Sequence, residues 1–99
     1  MEERGIMYAV VGTVDIEAGR GDEAEKLLNE FTIPGVKAQP GFVRGVWMRS
    51  SDQSNGRGIM LFDTEENATA AVAAAEQGPP PGAPVKMRTV EMFEVLGEA

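Results

Sequence analysis

Gly41–Ala75, GFVRGVWMRSSDQSNGRGIMLFDTEENATAAVAAA, decides how this chain folds. Phe42, Val43, Val46, Trp47 and Met48 form one strand-like run, and Ile59, Met60, Leu61 and Phe62 form another. SSDQSNGRG between them is made of turn-favouring residues, so the runs are expected to pair as an antiparallel hairpin. A helix follows without a spacer. Asp63 or Thr64 is in position to cap it, and Glu66 stands three residues after Asp63 as in a capping box. Its inward positions, Ala68, Ala71, Val72 and Ala75, are small, which lets a helix lie close to a sheet. A hairpin running into a helix is the middle of a βαββαβ unit.

The flanks supply the rest of that unit. Ile6–Ile16, IMYAVVGTVDI, reads as the first strand, apolar on both faces, with Gly12 marking a bulge or a close approach by another group. After a turn over Glu17–Gly21, Asp22 can cap a helix whose core stripe is Ala24, Leu27, Leu28 and Phe31. Pro34 and Gly35 are expected to stop this helix near Thr32. The second helix runs over residues 64–77, and GPPPGAP from Gly78 to Pro84 must be an extended, stiff surface segment. Val85–Leu96, VKMRTVEMFEVL, is the last strand, with Met87, Phe93 and Val95 on one face and Val90, Met92 and Leu96 on the other.

Composition narrows the chemistry. The chain has 99 residues, enough for one domain, expected over residues 6–97 after a mobile lead of residues 1–5. With 9 basic and 16 acidic residues the net charge is −7, which repels phosphate backbones and anionic lipid, so neither nucleic acid nor membrane is an expected partner. There is no cysteine and no histidine, which removes thiolate chemistry, the usual general base, the commonest metal ligand and any Ser-His-Asp triad. The start MEERG is acidic where a signal peptide is basic and then apolar, so a cytoplasmic location is expected.

The βαββαβ order, the PGF that opens the second strand, the LFDTEENATAA passage and the closing EMFEVL resemble the dimeric α+β barrel superfamily. Within it the chain is similar to small antibiotic-biosynthesis-monooxygenase-type (ABM-like) domains over about Met7–Leu96. That resemblance implies an α+β, ferredoxin-like fold with a four-stranded antiparallel sheet, and a homodimer whose two sheets face each other. A partner sheet would explain strands that are apolar on both faces. It also implies chemistry without metal or flavin, so no cofactor is expected. The haem-degrading branch commonly uses a histidine and does not carry over.

The residues of suitable type for a ligand site are Tyr8, Arg44, Trp47 and Glu91. Trp47 is either a core or dimer contact or the aromatic wall of a pocket. The Tyr8 hydroxyl reaches either a ligand or a backbone carbonyl. Arg44, expected on one face with Phe42, Val46 and Met48, either holds an anion or pairs with Glu91. Arg49, Lys86 and Arg88, near strand ends, read as solvated. The methionines either fill the core or make an adaptable apolar pocket. Two functions follow. One is a cofactor-independent monooxygenase-type enzyme acting on a small aromatic or lipophilic molecule, with Tyr8, Trp47 and Arg44 lining the cleft. The other is a non-catalytic dimeric module that binds a small apolar ligand or serves a structural role. A large cavity with convergent polar groups would favour the first, and a filled interior the second.

Overall fold

The computed structural model describes residues 6–99; the lead of residues 1–5, expected to be mobile, lies outside them. The elements are β1 (Tyr8–Ile16), α1 (Gly21–Leu27), a π-helical turn (Leu28–Thr32), α2 (Ile33–Lys37), β2 (Phe42–Arg49), β3 (Asn55–Phe62), α3 (Glu65–Ala75) and β4 (Val85–Glu94). The four strands form one antiparallel sheet in the order β2-β3-β1-β4, with β1 and β3 central. This is the expected α+β, ferredoxin-like arrangement.

The hairpin and its helix form as the sequence indicates, but the turn is shorter. Asn55, Gly56, Arg57 and Gly58 pair in β3, so NGRG is strand. Asp52 organises the loop instead: its Oδ1 accepts from the Ser50 hydroxyl at 2.8 Å, the Ser54 hydroxyl at 2.7 Å and the Ser54 amide at 3.0 Å. These bonds favour the carboxylate and hold its pKa down at about 2. Thr64, rather than Asp63, is the cap of α3, its hydroxyl accepting from the Asn67 amide at 3.0 Å. Asp63 joins the loops: its amide donates to the Gly41 carbonyl, and its Oδ1 accepts from the Asn67 side chain at 2.8 Å.

The core lies where α3 crosses β1 and β3. Val10, Met60, Phe62, Ala68 and Ala71 are its buried residues, and Phe62 and Ala68 are completely enclosed. The small side chains of α3 bring its backbone down onto Phe62. Phe42 meets Phe62 edge to face, with centroids 5.9 Å apart.

Five expectations are corrected. The first helical segment does not stop near Thr32. It continues through Pro34 and Gly35 because the turn at Leu28–Thr32 is π-helical, with the Ile33 amide bonding to the Leu28 carbonyl five residues back. That widened turn accommodates a residue that can donate nothing, as the first turn of a helix does. Phe31, expected in the core stripe, is 59% exposed, and Asp22 provides no cap bond. In β2 the extra residue Val43 separates Phe42, opposite Phe62, from Arg44, opposite Leu61, so the two lie on different faces. In β4 Arg88 is the extra residue, which places Met87 on the face of Val90 and Met92 and leaves Phe93 on the other.

α3 and the segment from Gly21 to Lys37 cover one sheet face, the one carrying Val10, Trp47, Met60 and Phe62. The opposite face has no covering element among the described residues. Val46 is 58% exposed there, Met48 46%, Phe93 48% and Ile59 38%. Among the described residues no helix is long and apolar enough to cross a membrane.

Candidate functional site

The helical segment Gly21–Lys37 stands away from the sheet. Only Gly21 and Ala24 are buried in it, whereas α3 is packed tight. The space left is a cleft of about 700 Å3. Its helical wall carries Leu27, Leu28, Phe31, Ile33 and Val36, its floor Gly12, Val14, Trp47, Gly56 and Gly58, and its far side Ala74, Ala75, Val85 and Met87. Gly78, Pro79 and Pro80 complete one end, in a loop expected to be extended that instead turns at residues 80–83, with the Ala83 amide bonding to the Pro80 carbonyl. Arg20 holds that loop to the start of α1, donating to the Gly82 carbonyl at 3.1 Å while Nε and Nη1 engage Glu23 and Glu17.

Trp47 is the main aromatic surface of the cleft, and neighbouring glycines create its seat. A Cβ on Gly58, directly across in β3, would come within 2.6 Å of the indole Cδ1 and 2.7 Å of Nε1. A Cβ on Gly45 would come within 2.7 Å of Cη2. The ring therefore lies flat along the sheet across two bare backbone positions.

Polar groups are few in this lining. Arg49 stands on the same strand face as Trp47. Its Nη1 donates to the Gly21 carbonyl at 3.2 Å and reaches the Glu25 carboxylate at only 3.5 Å. No other nitrogen of Arg49 has a protein partner among the described residues. Arg57 also borders the cleft, but strand alternation turns its side chain to the opposite sheet face. Among the described residues no group of three or more acidic, histidine or cysteine side chains is placed to hold a metal ion.

Of the four residues singled out from sequence, only Trp47 lines this cleft. Tyr8 is on the same sheet face but beyond Val10, packed against the core beside Phe62. Arg44 is on the uncovered face at the β2 edge and pairs with Glu98. Glu91 is also exposed, opposite Val11 on β4, the other edge strand. Arg44 and Glu91 cannot pair within one sheet, because three strand spacings, about 14 Å, separate their strands. Arg49, read from sequence as solvated, is the cation at the cleft. Its signal was parity: it alternates with Trp47 and Gly45 along one strand.

The architecture is that of the ABM-type domains. No family model matches the chain, and no curated protein matches it by sequence. Solved structures do match. A haem-degrading protein from Mycobacterium tuberculosis aligns with a TM-score of 0.67 at 18% identity, covering 97% of this chain and 98% of its own. The cofactor-independent oxygenase SnoaB from Streptomyces nogalater aligns at 0.63 and 19% identity over 95% of both chains. A protein from Bordetella bronchiseptica assigned to the antibiotic biosynthesis monooxygenases aligns at 0.68 and 13% identity, over 97% of this chain and 100% of its own. At such identities the shared property is the fold.

Proposed function

We propose that the cleft binds a small aromatic or lipophilic molecule, and that the chain is a cofactor-independent monooxygenase-type protein acting on it. The cleft carries this reading. An apolar space of about 700 Å3 in a 99-residue chain is far more than close packing leaves unfilled. Trp47 offers a ring face, Leu27, Leu28 and Val36 offer an apolar wall, and Arg49 offers donors for an anionic or enolised end. SnoaB, a cofactor-independent oxygenase by name, shares the fold, which supports the oxygenase part of the proposal.

A panel of aromatic and quinone-like compounds, screened by thermal shift, is expected to give binders that quench Trp47. Arg49→Ala should weaken the acidic members about tenfold, consistent with loss of a charge-assisted bond, and leave neutral ones unchanged. Hits that leave Trp47 emission untouched would remove the cleft from consideration. Oxygen uptake with each binder tests catalysis. A second reading, a non-catalytic binding module, is favoured by one observation: the lining holds no general base other than Glu25, so proton removal would fall to Glu25 or to the ligand's own acidity. Binding without oxygen uptake would leave that reading alone.

The uncovered sheet face supports a homodimer as the working form, a second copy burying Val46, Met48, Ile59 and Phe93. The expected interface is about 2,000 Å2 or more in total, the size of obligate dimers. A monomer by sedimentation at micromolar concentration would sink it.

A further inference from the structure

We propose that Gly12 is a specificity-determining contact of the cleft, the place where the flat face of a fused-ring ligand rests against the sheet. The inference builds on the binding role just proposed and asks which shape of ligand the cleft accepts. Gly12 sits near the middle of β1, paired on one side with Gly58 and on the other with Val90. Glycine in a central strand weakens it, so such a position needs a reason.

The usual reasons fail here. The left-handed glycines are Gly19, Gly41, Gly78 and Gly82, so backbone conformation does not require glycine at Gly12. The irregularity against β4 falls between Thr13 and Val14, with Arg88 as the extra residue, not at Gly12. Nor does packing exclude a side chain. A Cβ on Gly45, Gly56 or Gly58 would meet protein atoms, but a Cβ on Gly12 would meet nothing within 4 Å. It would project into the cleft. The body excluded by a methyl group at this point is therefore the cleft's occupant. Gly12 adjoins Gly58, on which the Trp47 indole lies. A rigid planar ring laid on the Gly12 backbone would meet the indole at its border. A flexible chain can bend around an added methyl group; a flat ring system must lift away from the sheet or leave.

Calorimetric titration of the 99-residue chain separates the possibilities, using anthraquinone carboxylate as the planar probe and decanoate as the flexible one, with matched acid heads. Gly12→Ala and Gly12→Val are expected to melt no lower than the parent protein. Affinity for anthraquinone carboxylate should fall about tenfold with alanine and further with valine, because rigid shapes tolerate overpacking poorly. Decanoate affinity should change by less than about threefold. Unchanged anthraquinone carboxylate affinity in both variants, or equal loss of both probes, would overturn the role of Gly12 while leaving the cleft a binding site. A clear fall in melting temperature would overturn it too, since the glycine would then serve the fold. A parent protein that binds neither probe would overturn the binding role itself and this inference with it.

Discussion

Phe62→Ala is expected to destabilise the chain by about 3–5 kcal/mol, seen as a lower midpoint of chemical denaturation. Phe62 is completely enclosed between β1, Phe42 and the alanine face of α3, so truncation leaves a cavity that nothing nearby is free to fill. Ala71, also buried in this cluster, tests the seam from the opposite side. Ala71→Leu should overpack it and cost about 1–3 kcal/mol. Near-neutral midpoints for both would mean that α3 does not lie on Phe62.

Gly41→Ala should cost about 2–3 kcal/mol, combining left-handed strain with disruption of a solvent-exposed hydrogen-bonded junction. Gly41 has φ of 79°, and an added Cβ would fall 2.2 Å from Asp63 Oδ1 and 2.3 Å from the Asn67 side-chain nitrogen. That knot joins the entry of β2 to the strand–helix corner before α3, through the Gly41 carbonyl, the Asp63 amide and the Asn67 amide group. Asn67→Ala alone should cost less, about 1 kcal/mol, because it removes one side-chain hydrogen bond and leaves the backbone at Gly41 unstrained. If Gly41→Ala cost no more than Asn67→Ala, the left-handed turn would not be what Gly41 supplies. The same geometry explains why PGF and LFDTEEN occur together: they are two sides of one junction.

Local pattern carried most of the fold. The short apolar runs in YAVVGTV and GIMLF, the turn residues of SSDQS and the cap ahead of the alanine run each depend on neighbours within a few positions, and such signals survive in a linear reading. The first helical segment was less legible. Pro34-Gly35 is a strong stop signal, and nothing local announces that a π turn at Leu28–Thr32 will carry the helix past it.

The candidate site depended on strand phase. Trp47 was recognisable by type, but its partners were set by bulges at Val43 and Arg88, each of which moves a run of side chains to the other sheet face. Arg44 was thereby separated from Phe42, and Glu91 lay on the far edge strand, so a pair plausible by charge was excluded by sheet order. Arg49 read as solvated and Gly12 as a bulge or a close approach by another group, because their place in a cleft comes from the gap between the Gly21–Lys37 segment and the sheet. Apolar periodicity and capping were sufficient for element type and order, since those energies are local. The cleft, its cation and its bare floor arise from how far one helix stands off a sheet, and that distance is set by contacts between residues remote in the chain.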